Sequence, residues 1–148
     1  MEGGITALFW KGDKMSKSAI YAVNTTVGTT VDVGEVIPVD TVVRRFGSNL
    51  SLVNDAIVLK GAGYYSVSAS VTLSATIADE ISVALYQDGR LVPGTKASVT
   101  MAAANDVATL SIDALVRVIG CNENSVLTLV VSDQAVGTVD VAIVVEKK

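Results

Sequence analysis

Hydrophobic positions in this chain recur at every second residue, most clearly after Gly61 and Gly63. From residue 64 to 73, Tyr65, Val67, Ala69, Val71 and Leu73 share one face of an extended segment. Tyr64, Ser66, Ser68, Ser70 and Thr72 share the other. A period of two, with one apolar and one hydroxyl-rich face, predicts a half-buried strand of an antiparallel sheet. The pattern recurs between turn residues and predicts about ten strands: 18–24, 41–46, 50–53, 56–59, 64–73, 81–87, 90–92, 95–101, 107–118, 126–132 and 138–146. Residues 25–40 read as a looser stretch carrying Gly28, Gly34 and Pro38. Asn54–Asp55 and Asp88–Gly89 have the chemistry of two-residue hairpin turns, and Pro93–Gly94 forms a third turn. No segment of ten residues or more carries a helical period. Short segments starting at Gly28 and Gly137 echo each other, over too few residues to count as a repeat.

Two segments break the alternation. In 126–131 and 139–145 both faces are mostly apolar, which calls for cover on both sides. One reading is that the sheet holding these strands meets other subunits through Leu127, Leu129, Val131, Val139, Val141, Ile143 and Val145. The other is a local cover of loops.

At 148 residues the chain fits one domain that buries roughly 70% of its unfolded surface. Half of its residues are apolar, mostly Val and Ala, and aromatics make up only 5%. Val is stiff at its first torsion and suits a pleated sheet. No apolar run approaches the ~18–20 residues of a membrane helix, so no membrane partner is expected. The net charge is −4, and basic residues adjoin only at Arg44–Arg45 and Lys147–Lys148. That distribution excludes a nucleic-acid footprint. One cysteine, Cys121, allows no disulfide framework within the chain and fits a reducing compartment. Glu2 and the short apolar run from Ile5 to Trp10 do not make a secretory signal. Met15 opens a Met-Ser-Lys-Ser sequence, so residues 1–17 read as an N-terminal arm on a domain spanning 18–148.

Candidate chemistry is sparse. The chain has no histidine, the commonest general base and metal ligand. Asp79–Glu80 and the pair Asp32 and Glu35 are the nearest oxygen donors for Ca²⁺, without the spacing of a dedicated loop. Ser16–Lys17 is the formal nucleophile pair, and Cys121 sits in a polar turn without a basic neighbour. Gly61 and Gly63 precede a strand rather than a helix, so they form no phosphate cradle. No enzyme activity, metal or cofactor is expected. The sharpest functional feature is the arm, where Ile5, Leu8 and Phe9 share a helical face beside Trp10, the only tryptophan. Large apolar residues outside the predicted core read as an anchor onto a partner, or as a segment folded back onto its own subunit.

Read in order, these elements resemble the trimeric jelly-roll superfamily of tumour necrosis factor and the complement globular heads. Four segments carry the resemblance: Thr41-Val-Val-Arg-Arg-Phe46 after Ile37–Pro38; Leu59-Lys-Gly-Ala-Gly-Tyr-Tyr65; Ile81-Ser-Val-Ala-Leu-Tyr-Gln-Asp-Gly89, with Gln87 and Asp88 where the family has Lys and Asn; and the closing segment from Val139 to Val145. The match spans about 18–147, and the start Ser18-Ala-Ile-Tyr-Ala-Val-Asn-Thr-Thr26 is similar to short proteins of phages and prophages of Gram-positive bacteria. The chain departs from the animal family in closing on Glu146-Lys-Lys rather than an aromatic-rich strand, and it carries no collagen-like or coiled-coil stalk. The resemblance implies an all-β, antiparallel jelly-roll sandwich that forms a homotrimer, with its last strand near the threefold axis. It also implies a phage virion protein, a capsid decoration or head fibre, assembled in the host bacterial cytoplasm and held to the shell by the arm. The alternative is a receptor-binding tip that grips a host-surface glycan through Asn105–Asp106 or residues 133–137.

Overall fold

The alternating segments form twelve strands, all paired antiparallel. The structure is a computed structural model and describes residues 17–26, 28–119 and 124–148. In chain order the strands are β1 (Ala19–Asn24), β2 (Thr30–Val31), β3 (Thr41–Phe46), β4 (Leu50–Val53), β5 (Ala56–Lys60), β6 (Gly63–Ala75), β7 (Glu80–Gln87), β8 (Arg90–Leu91), β9 (Ala97–Thr100), β10 (Val107–Val118), β11 (Asn124–Ser132) and β12 (Val136–Lys147). Among the described residues no helix is long and apolar enough to cross a membrane.

Two six-stranded sheets pack face to face. Sheet I runs β10-β6-β12-β1-β3, with β2 on β12, and sheet II runs β4-β5-β11-β7-β8, with β9 on β7. The longest ladder joins β6 to β10, from Gly63 opposite Val118 to Ser74 opposite Val107. Alternation then decides what is buried. Tyr65, Val67, Ala69, Val71 and Leu73 point between the sheets with Ile143, Val145, Leu85 and Leu129, while the serines of β6 point away. Burying one stiff β-branched side chain after another contributes on the order of 2 kcal/mol per residue before entropy is counted.

Both predicted hairpin turns are left-handed at their two central positions: Asn54 at φ 49° with Asp55 at 65°, and Asp88 at 54° with Gly89 at 80°. That is the turn whose twist matches the flanking strands.

The stretch 25–40 is more ordered than its composition predicts. Thr30 and Val31 pair with Gly137 and Val136, so the two echoing segments lie side by side. Strand β5 leaves β11 at Leu127, and residues 34–37 take over the vacated edge. The Gly34 and Ile37 amides donate to the Val131 and Leu129 carbonyls at 2.8 and 2.7 Å. Ile37 and Val39 are buried as a result.

Candidate functional site

Small side chains hold the centre of the outward face of sheet I. Strand β6 places Ser66, Ser68, Ser70, Thr72 and Ser74 on it, and the register sets Leu115, Asp113, Ser111, Thr109 and Val107 of β10 directly opposite. On the other side of β6, β12 contributes Glu146, Val144, Ala142 and Asp140. Beyond β12 come Ala19, Tyr21 and Val23 of β1, then Phe46 and Arg44 of β3. The Thr72 and Thr109 hydroxyls bond across the strands at 2.8 Å. Charges sit at the margins, and the centre is Ser68, Ser70, Ala142, Val144 and Val23. Large side chains stand exposed on the edge strands, Phe46 at 62% and Leu115 at 61% of their full surface, and on β1 next to the edge, Tyr21 at 38%. A hollow of about 320 Å³, lined by Ala19, Ile20, Tyr21, Arg44, Phe46, Val144 and Glu146, opens at the β1–β3 side.

The doubly apolar strands do not share this face. Strand β11 is central in sheet II and β12 in sheet I, because the chain crosses between the sheets after each long strand. Leu127, Leu129 and Val131 therefore face Val141, Ile143 and Val145 across the core, and all six are buried within one subunit. The surface those strands can offer a partner is the alternate set, half-buried Val126 and Val130 on one sheet and Ala142 and Val144 on the other. Val139 sits at the slip in register between Thr138 and Asp140 and is half-buried. The arm residues Ile5, Leu8, Phe9 and Trp10 lie outside the described residues, as do Ser16 and Cys121.

Candidate donors elsewhere are engaged locally. The Asp32 amide donates to Glu35 Oε1 at 3.2 Å, and the Glu35 amide donates to the Asp32 carbonyl at 3.0 Å, closing a turn. Asp79 accepts from the Glu80 amide at 2.8 Å. Among the described residues no three such donors converge. In the loop 133–137, the Asp133 carboxylate accepts from Ser82 and pairs with Lys96. The Asn105 amide, in the other tip loop, donates to the Ala75 carbonyl at 2.8 Å.

A larger open cleft of about 580 Å³ lies beside the β7–β8 turn, with Asp88, Arg90, Leu91, Leu115 and Arg117 among its walls. Several of its polar groups are in use. Asp88 accepts from Ser125 Oγ at 2.6 Å and from the Val126 amide at 2.9 Å, and Gln87 donates to the Arg117 carbonyl at 3.0 Å. The Arg117 guanidinium lies 5.5 Å over the Tyr64 ring. Periodicity alone marked the serine row of β6. It did not mark Tyr21 and Phe46, although each is a bulky apolar residue at an outward position of its strand.

No family model matches the chain, and no curated protein matches it. Solved structures match the fold. Murine APRIL at pH 5.0 superposes at TM-score 0.71 with 12% identity, covering 89% of this chain and 99% of that one. The globular domain of zebrafish complement 1qA protein gives 0.63 with 7% identity, covering 86% and 94%. The chain has the TNF-like jelly-roll fold. PRD1 vertex protein P5 also aligns, at TM-score 0.54 with 16% identity, covering 88% of this chain and 96% of that one. In this TNF-like jelly roll, the segments that carried the resemblance are β3, the start of β6, β7 with its turn, and β12.

Proposed function

We propose that the chain is a virion structural protein of a tailed phage, a capsid decoration or head-fibre protein working as a homotrimer. The observation that carries the reading is the outward face of sheet I. Large apolar groups left exposed on one face, Tyr21, Phe46 and Leu115, around an uncharged centre support a surface that a partner covers. Burying exposed groups such as Phe46, Tyr21 and Leu115 contributes roughly 25 cal/mol per Å² of apolar area, so an interface of ordinary size suffices for a stable assembly. The likeness to PRD1 vertex protein P5 supports the virion setting. The work of such a protein is mechanical, and the chain has no histidine to support acid–base chemistry.

Residues 1–17 are the arm in this proposal, with Ile5, Leu8, Phe9 and Trp10 as the groups that grip the shell. Two measurements test it. Light scattering after size exclusion gives about three times 15.3 kDa, and a monomer at every concentration overturns the trimer. Deleting 1–17 leaves the trimer intact and abolishes co-sedimentation with capsids of the phage that encodes it. Undiminished co-sedimentation overturns the arm's role.

A further inference from the structure

The open cleft of about 580 Å³ beside the β7–β8 turn holds two arginines, one from each sheet. Arg90 stands opposite Gln87 in the β7–β8 pairing, and Gln87 Nε2 donates to the Arg117 carbonyl at 3.0 Å. One side chain thus joins the two strands that carry the cations. Both arginines are exposed. Among the described residues, neither guanidinium pairs with a carboxylate. The cleft's own carboxylate, Asp88, is turned instead to Ser125 Oγ at 2.6 Å and the Val126 amide at 2.9 Å.

The rest of the wall is aliphatic: Leu91, Val92 and Pro93 beyond the turn, and Leu115. Among the described residues, no aromatic ring lines it. These features select a ligand. A volume of this size falls in the range of about 300–1,000 Å³ that ligand sites occupy. Planar guanidinium forks without a partner match an oxyanion with two oxygens in one plane. The chain as a whole carries −4, so diffuse attraction for polyanions is absent and the cleft is a local positive spot. Asp88 keeps its charge in the wall, and it repels a phosphate dianion about twice as strongly as a carboxylate. A sugar would lack a ring to stack on here. Aliphatic walls suit the aliphatic side chains of a peptide.

We infer that the cleft binds an acidic peptide segment of a partner protein, with an Asp or Glu carboxylate set between Arg90 and Arg117 and an adjoining aliphatic side chain against Leu91 and Pro93. The bonds of Asp88 to Ser125 and Val126 hold the turn that carries Arg90, so this side of the cleft is ordered before the ligand arrives. Tyr64 does the same for Arg117, whose guanidinium lies 5.5 Å over its ring. The two cations set the position of the carboxylate, and the aliphatic wall sets what may stand beside it. Recognition of this kind goes beyond the virion reading and does not depend on the number of subunits.

The test titrates the isotope-labelled full chain with a Leu-Glu-Leu peptide, acetylated and amidated so that its one charge is the Glu carboxylate. Saturable shifts of the amide resonances of residues 87–93 and 115–117 are expected. The Leu-Gln-Leu counterpart binds about tenfold more weakly, and Arg90→Gln and Arg117→Gln each weaken the Glu peptide about tenfold. Both arginines are exposed, so these substitutions leave the core intact. Equal affinity for the two peptides, unchanged affinity in either arginine variant, or no saturable shift at these residues overturns the inference. Tighter binding of glucuronate or inorganic phosphate than of the Glu peptide at the same residues also overturns it, and assigns the cleft to a saccharide or a phosphate. Light scattering on the same samples reads self-association separately. A monomer that binds the peptide overturns the trimer and leaves the cleft's role standing.

Discussion

Gln134 holds the Thr76 backbone amide to its side-chain oxygen at 2.9 Å, and so ties the end of β11 to the loop between β6 and β7. The same oxygen accepts from the Thr76 hydroxyl and the Ile77 amide, each at 3.0 Å. Its nitrogen donates to the carbonyls of Ile77, Asp79 and Glu80 at 3.1, 3.0 and 3.3 Å. The loop carries the chain from sheet I to sheet II, and Gln134 is buried beneath it. An amide side chain alone offers an acceptor and two donors in one plane. Gln134→Ala leaves those backbone groups without partners and lowers unfolding free energy by about 2–3 kcal/mol. Gln134→Glu replaces the donors with an oxygen facing three carbonyls. It is destabilised at pH 7 and regains part of the loss on acidification, as the carboxyl takes up a proton. Urea unfolding at pH 7 and pH 4 measures both, and two variants within about 0.5 kcal/mol of wild type contradict the role.

How far the sequence could be read is clear from β6 and β12. The strict alternation of β6 marked its core residues and its serine face, and both lie where periodicity puts them. Alternation states which residues share a face, and says nothing about which sheet a strand joins. For that reason β11 and β12, apolar on both faces, looked like neighbours in one sheet although the jelly roll divides them. The alignment of Phe46 with Leu115 across the outward face of sheet I depends on four successive non-local pairings, which no local pattern encodes. The edge-filling segment 34–37 was hidden for a related reason. Its order comes from the gap that β5 leaves beside β11, while its own composition is that of a loop.

Tyr65 opens the central strand, and its single proton is shared by two carbonyls, Lys60 at 2.9 Å and Gly61 at 2.8 Å. Burial holds the phenol above its ordinary pKa. The folded state thus retains this proton more tightly than the unfolded chain. The contribution is complete below about pH 10 and is lost as pH rises through the higher folded-state value. Tyr65→Phe costs about 1 kcal/mol at pH 7, and it flattens the decline in stability on the alkaline side. Denaturant titrations from pH 8 to 11 compare the two proteins, and parallel curves contradict the assignment.

At the start of β3, the exposed Asp40 carboxylate accepts from the Thr41 hydroxyl at 2.8 Å and from the Thr25 amide at 3.0 Å, with the Thr25 and Thr26 hydroxyls beside it. These bonds, the Thr41 hydroxyl foremost, hold its pKa below the usual carboxylate range. A depressed folded-state value stabilises above the ordinary Asp value of about 4, and that stability is lost as pH falls through the lower value. Asp40→Asn is therefore less stable than wild type at pH 7, and the gap closes as pH falls through the lowered folded-state value. A gap that stays constant across this range assigns the loss to something other than ionisation.

Gly47 is the position where the backbone tolerates no side chain. Its φ is +81°, and a Cβ built there would stand 2.7 Å from the Lys17 carbonyl oxygen and 2.1 Å from Ser18 Oγ. This is where β1 and the end of β3 meet, with Ala19 paired to Phe46. Ser18 is also bound to Asn49, its Oγ donating to Oδ1 at 2.9 Å, so it has little freedom to retreat. Gly94 makes the control: it has nearly the same φ, +80°, with nothing within 4 Å of an added Cβ. Gly94→Ala carries only the left-handed backbone cost of about 1–2 kcal/mol. Gly47→Ala carries that cost and the clash, which is relieved only by moving β1 relative to β3. Those strands form the wall of the hollow beside Phe46, so Gly47→Ala weakens self-association as well as folding, whereas Gly94→Ala lowers stability alone. Thermal unfolding and light scattering on the two variants separate the effects, and equal losses in both measurements contradict the steric argument.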